Sequence, residues 1–480
     1  MTTMNKRRLT CLFLALMTLA SVSCGEGSDS PDVTTSSDSA GNMTEVETAD
    51  TRFIPDVEAR NFGGKELRIY SFDCANIHFT VVPESETGDT INDALYKRNS
   101  VIQDKYGVEL SESFYSWGGI SNARSVLVAG DDSYDLVSIN CPNALVWYRE
   151  GLVIPYDELP NVNFEKGYWD SPINDSLSLD GVNYIAEGAY NLDIYDLTFC
   201  LLVNKPICEQ FGIKDIYSDV SGRKWTFDLM KEYMTLVTAD INGDTKMDMN
   251  DRYGYTAHPK MVAPGFWIGA DELSITKDEK DHPEINLTSN RFVEVFDKIF
   301  NVVHDSGASY LTDGDNLDIP TECRKMFAEN RSLFVDMSFF YIEVMRSVDT
   351  EFGIIPYPKF DEDQGEYHSR VCYYFPTIVP ITCKDTDFVG YMLEIMNYES
   401  YKTVIPSYYD VALKTKGTRD EESADMLDLI FASRRIDIGD STLCDVIRDK
   451  FIYEMMKDDS RDLISTVERN RARIEERLEQ

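Results

Sequence analysis

Histidine is scarce: five in 480 residues, scattered without metal-ligating spacing. None of the ten cysteines forms a CxxC pair, so a thiolate zinc site has no foundation. HExxH, GxSxG and the Walker phosphate loop are all missing, and with them the signatures of zinc proteases, α/β-hydrolases and nucleotide-driven enzymes. Basic residues are few, 46 against 84 acidic, for a formal net charge of −38. Such a balance repels phosphate backbones and excludes nucleic acid as a partner. No repeat is present, and no segment beyond the N-terminal region could span a bilayer. What is there is the composition of a folded protein, 43% hydrophobic and 12% aromatic, at a length of two to three domains.

The N-terminus is specific. Lys6, Arg7 and Arg8 precede the apolar run Leu9 to Ala20, a secretory signal over residues 1–23. Ser21-Val22-Ser23-Cys24 resembles a bacterial lipobox, with Ser21 where leucine is usual; the resemblance implies acylation of Cys24. Residues 24–54 run through Ser, Asp, Thr, Gly and Glu and predict a disordered, lipid-anchored tether. The protein is thus expected on the extracellular face of the cell membrane. Setting aside Cys11 and Cys24, eight cysteines remain, several inside apolar runs where they act as small buried hydrophobes; their pairing is open.

The chain is organised around Gly181 to Lys205. GVNYIAEG and LTFCLLVN read as two strands separated by AYNLD, the second buried on both faces. This is a connection between two lobes, with Tyr190 to Tyr195 near the space between them. Upstream, strands at 67–72, 108–111 and 134–139 alternate with helices from about Thr90 to Gly107 and over 121–129. TIND at Thr90 resembles a capping box. The alternation predicts βαβ units in a mainly parallel sheet, with ligands beyond the carboxyl ends of its strands, at Asp73 and Asn140. Downstream, Pro206 opens a short helix and Thr226 caps another, with Trp225 and Met230 as a hydrophobic staple. Further helices are expected at 291–303 and 322–329, and strands at 333–335 and 352–355. FPTIVPIT is a late strand, followed by helices at 387–397 and 401–413. The last helix carries Leu463, Ile464, Val467, Ile474 and Leu478 on one face.

Asp240, Asn242, Asp244, Lys246 (through its carbonyl), Asp248 and Asp251 stand at positions 1, 3, 5, 7, 9 and 12 of a twelve-residue loop. This is the oxygen spacing of an EF-hand calcium site, with Thr245 in place of the usual glycine and Asp251 in place of glutamate. A structural calcium ion is expected.

Several stretches together resemble the extracellular solute-binding proteins of ABC-type importers, in particular carbohydrate-binding members. They are YDLVSINCPNALVWYREGLVIPYDEL, LLVNKPICEQFGI, KWTFDLMKEYMTLVT, FAENRSLF (with Asn330 where glycine is common) and FGIIPYPKFDEDQGEY. They run in family order from about Leu67 to Leu413. The resemblance implies a periplasmic-binding-protein-like type II α/β fold: lobe 1 from 55–185 plus about 375–415, lobe 2 from 200–372 plus about 416–480, joined by crossover strands. It also implies capture of a small solute, with an oligosaccharide favoured, and delivery to the membrane subunits of an importer. A monomer without enzymatic activity is expected. Sugars suit flat aromatic rings flanked by polar groups. The candidate ligand contacts are Asp73, Asn140, Tyr190, Asp193, Trp267, Phe339 and Tyr374, with Trp117 and Trp147 as further aromatics. Two other classes remain open: a secreted carbohydrate-active enzyme using a carboxylate pair, and a surface adhesin.

Overall fold

Alternation of side chains along Lys65–Phe72 sends Leu67 and Ile69 into the core, and a helix over Thr90–Tyr106 returns the chain to a parallel neighbour, Val108–Tyr115. The helix starts one residue earlier than the capping-box reading places it. Asp89 is the cap, accepting from the Ile91 and Asn92 amides, while Asp93 reaches back to the Thr87 amide at 2.8 Å. It stops at Gly107, whose φ of 61° costs a residue without a Cβ little. The computed structural model describes residues 50–73, 80–116, 119–315, 318–345, 348–413 and 421–479. The signal segment, Cys24, Cys74 and Trp117 lie outside them.

Two five-stranded sheets carry the fold. The first runs Val108–Tyr115, Lys65–Phe72, Leu136–Ser138, Thr377–Pro380, Val153–Ile154. Its first three strands are parallel, as the βαβ reading requires, but the late strand Thr377–Pro380 enters antiparallel to both neighbours. The second runs Phe352–Ile355, Phe199–Asn204, Ser332–Ser338, Tyr253–Ala257, Ser309–Leu311. Here Phe199–Asn204 is antiparallel to both of its neighbours, and every one of its residues is buried. The fold is α/β, of the periplasmic-binding-protein-like type II, and Asp50–Gln480 form one compact unit.

Three elements differ from the sequence reading. GVNYIAEG is not a strand. Its amides and those just after it are taken by side chains and loops instead: Glu187 N–H donates to Asn174 Oδ1 (2.7 Å), Ala189 N–H to the Tyr168 carbonyl (2.9 Å) and Tyr190 N–H to Asn397 Oδ1 (3.0 Å). The two late helices are one, Thr386–Leu413, which packs on Thr90–Tyr106 and runs through Pro406. In the last helix, Leu463–Glu479, Leu463, Val467, Ile474 and Leu478 are buried but Ile464 is 52% exposed. Ile464 stands about 100° round the helix from Leu463, on the side away from the buried stripe.

Candidate functional site

Among the described residues the chain passes between the sheets at 190–198 and at 371–376. The two passages are bonded together. Thr198 bridges Val371, the Cys372 amide donates to the Leu197 carbonyl at 3.2 Å, and Phe375 N–H donates to Asp193 Oδ2. Phe375 also stacks on Phe72 at 4.4 Å, tying the passage to the end of a first-sheet strand. Tyr373 holds φ 63°, a left-handed conformation that a bulky residue adopts at a cost and that clusters at functional sites.

Around this floor the structure gathers an unusual density of buried polar side chains. Glu187 is wholly buried; Oε2 accepts from Asn191 Nδ2 at 2.9 Å and Oε1 has no partner. Asp193 is likewise buried, with Oδ1 unpartnered. Burial pushes the Asp193 carboxyl up to about 8, the Phe375 amide only partly offsetting it. Burial, and then the neighbouring Asp193, lifts Glu187 well above the usual carboxylate range. The hydroxyls of Tyr184, Tyr374 and Thr442 are buried without hydrogen-bond partners, and burial raises both phenols. Arg434 pairs with Asp170 and lies 4.1 Å over the Tyr195 ring.

Beside this acidic half stands a paired-charge cluster. Arg370 Nη2 donates to Asp440 Oδ1 at 2.7 Å and Arg448 Nη1 to the same oxygen at 3.1 Å, all three residues fully buried. Burial opposes ionisation of Asp440, but the two guanidiniums outweigh it and hold its carboxyl below the ordinary value. Arg448 sits 4.0 Å over the Tyr373 ring and leaves Nη2 unpartnered; Lys260 Nζ lies 5.2 Å from the same ring. Donors and acceptors without partners in one buried zone are what a hydroxyl-rich ligand satisfies.

Of the expected contacts, Tyr190, Asp193 and Tyr374 fall on this floor. Asn140 caps the helix Cys141–Arg149, and Cys141 lies within electrostatic reach of Arg448. Phe339 is bonded under the first passage through its amide to the Thr198 carbonyl, but its ring packs on Phe431 at 4.7 Å. Asp73 is exposed at a strand end, its amide donating to the Tyr115 carbonyl. Trp267 is 0% exposed, packs on Phe292 and donates to Asp437 Oδ2 at 2.8 Å, within the helical layer of the second sheet and apart from the floor. Trp147 is core. Sequence reasoning missed Glu187, Tyr184, Thr442, Tyr373 and Arg448. The first two sat in the stretch read as a strand; the others carry no local pattern.

The 240–251 loop folds on its own amides. Asp240 accepts from Gly243 and Thr245 at 2.6 and 2.8 Å, and Asp251, fully buried, accepts from Ile241 and Asp248 at 3.0 and 2.9 Å. Thr245 takes φ 68°, the conformation for which glycine is usual at that position. Among the described residues no three His, Cys, Asp or Glu side chains are already gathered as a ligand set. The loop's side-chain oxygens are instead engaged by its own amides.

No protein-family profile and no curated relative matches the sequence. Solved structures do match. A cyclic α-maltosyl-1,6-maltose binding protein from Arthrobacter globiformis superposes with a TM-score of 0.59 at 11% identity, over 87% of this chain and 100% of its own. The sugar-binding protein MalE from Xanthomonas citri gives 0.58 at 10%, over 86% and 97%. An ABC substrate-binding protein from Listeria monocytogenes in complex with cycloalternan gives 0.55 at 11%, over 86% and 99%. The chain therefore has the fold of ABC sugar-binding proteins. No described helix is long and apolar enough to cross a membrane.

Proposed function

We propose that this protein is the solute-capturing component of an ABC-type importer, and that it closes two lobes over an oligosaccharide without changing it chemically. The observation that carries the reading is the buried floor between the two sheets, where Glu187 Oε1, Asp193 Oδ1 and Arg448 Nη2 each lack a partner. A sugar offers hydroxyls that donate and accept, which is what these groups lack. The fold supports the reading, as do the sugars named with structures of the same fold. Only when closed can both lobes touch one ligand, so ligand drives closure.

The reading includes acylation of Cys24, a tether over 24–54, display on the extracellular face of the membrane and delivery to importer membrane subunits by a monomer. It also includes calcium in the 240–251 loop. Asp240, Asn242, Asp244, Asp248, Asp251 and the Lys246 carbonyl would hold the ion, which would stiffen the loop. Calcium added to chelator-treated protein should raise the melting temperature by several degrees; no shift rejects the site.

A thermal-shift screen with maltotriose, maltotetraose, cycloalternan and glucosamine tetramer, with product analysis of each mixture, tests the central reading. A stabilised protein and intact sugar are expected. Sugar turnover would instead favour a carbohydrate-active enzyme, and binding to polymers without lobe closure an adhesin.

A further inference from the structure

We propose that the hairpin made by Ile275–Lys277 and Pro283–Ile285 is a latch: carried by the second lobe, it grips a turn of the first and holds the two closed. The inference deepens the capture reading and rests on its lobe closure. Each partner is rooted in its own body. The Ser274 amide and hydroxyl donate to Asp437 at 2.8 Å each, as does Trp267 of the helix Pro259–Gly269, which fixes the hairpin's base to the second sheet's helical layer. The target is the turn Leu179–Val182, whose end residues pair with each other. One residue further on, the Asn183 carbonyl accepts the Tyr156 amide at 2.8 Å and the Asn183 side chain donates to Asp157, just past the first-sheet strand Val153–Ile154.

The two pieces meet through groups that local folding leaves open. Asp180 and Gly181 take φ 53° and 76°, the paired positive angles of a type I′ turn. Their amides go to one residue across the lobe boundary: Asp180 N–H donates to the Asp281 carbonyl at 2.9 Å and Gly181 N–H to Asp281 Oδ2 at 3.1 Å. Lys277 Nζ donates to the Asp175 carbonyl at 2.5 Å and to Ser178 Oγ at 3.0 Å, with Asp281 Oδ1 at 3.0 Å as its counter-charge. His282 Nδ1 lies 2.7 Å from Asp180 Oδ1. The Lys277 side chain is only 16% exposed as a result, although a two-stranded hairpin standing alone has nothing to bury a lysine against.

Both ends of the latch lead into the cleft floor. Asn174, in the helix Ser171–Leu177 that precedes the turn, accepts the Glu187 amide at 2.7 Å and donates to the Glu187 carbonyl at 3.0 Å. On the other side, Asp437 stands three residues before Asp440, which holds Arg370 and Arg448. Engaging the latch therefore seats the two halves of the floor against each other, and releasing it lets them part. Each of these hydrogen bonds contributes little alone, but together they bias a two-state hinge, and the closed fraction scales the apparent affinity for whatever the cleft holds.

The test uses the whole protein without added solute, so its outcome is separate from that of the sugar screen. Lys277→Ala/Asp281→Ala removes the latch. Asp281→Asn keeps the acceptor and suits the φ of 65° at that position, and serves as the rescue. Hydrogen–deuterium exchange is read over 175–182, 184–193 and 372–376, the last remote in sequence from both partners, and small-angle scattering gives the radius of gyration. The double variant should exchange at least about threefold faster in all three segments and scatter as a wider molecule, while Asp281→Asn matches the unaltered protein. If the double variant fails to fold, Lys277→Ala alone is read in the same way. No acceleration outside 175–182, or a radius equal in the variant and the unaltered protein, overturns the latch and makes the hairpin an ordinary surface contact. Sugar capture then stands or falls on its own screen.

Discussion

Asp193 and Asp440 are buried to the same degree and meet opposite fates. Asp440 lies between two guanidiniums and stays ionised; Asp193 has one amide and acidic neighbours, and burial lifts its carboxyl from 3.8 to about 8. The folded state then holds the Asp193 proton more tightly than the unfolded chain does. Its contribution to stability is full below pH 3.8 and is lost as pH rises through about 8. Asp193→Asn, which keeps an acceptor for the Phe375 amide, should flatten the fall in unfolding free energy across that window, measured by urea titration at several pH values. An unchanged slope would mean that Asp193 ionises freely. Removing Asp440's charge has another cost. Asp440→Asn leaves two buried cations short of a partner and should destabilise by about 3–5 kcal/mol, read from the urea midpoint. A loss below about 1 kcal/mol would place the cluster in contact with water.

At the scale of elements, a crossover held by side chains replaces one held by a ladder. Gly188 sits so close to the helix Thr386–Leu413 that an added Cβ would lie 2.2 Å from Asn397 Oδ1, the atom that accepts the Tyr190 amide. Gly188→Ala should therefore unseat the segment 184–193 from that helix, lowering stability by about 1–3 kcal/mol and weakening sugar binding together. A stability loss with unchanged affinity would show that the segment does not shape the site. The same contact explains why this element was illegible in the sequence. Apolar Val182, Tyr184 and Ile185 at close spacing look like a strand, but the amides find Asn174 and Asn397, residues 13 and 207 positions away from their donors. Elements with local signals were legible: Thr226 caps the helix Phe227–Val237 through the Leu229 amide, and Phe352–Ile355 is a strand with the predicted ends. The candidate site was legible only where the crossover was, at Tyr190, Asp193 and Tyr374. Thr442, in a run of turns, and Arg448, at the start of the π-helical turn Arg448–Ile452, lie far along the chain and could not be placed by spacing. Trp267 looks like a sugar platform in sequence, yet it is fixed by Asp437 inside a helical layer.

At the scale of the whole molecule, the account says that the first sheet with the helix Thr386–Leu413 and the second sheet with the C-terminal helices move as two bodies about the bonded passages. The expected ligand therefore lies against 184–193, 372–376 and 440–449 at once. Hydrogen–deuterium exchange with and without the best-stabilising oligosaccharide of the screen reads this directly, because amides in a closed, occupied cleft open less often. The account predicts slowed exchange in all three segments together. Protection confined to one sheet or to the outer surface, with those segments unchanged, would contradict it.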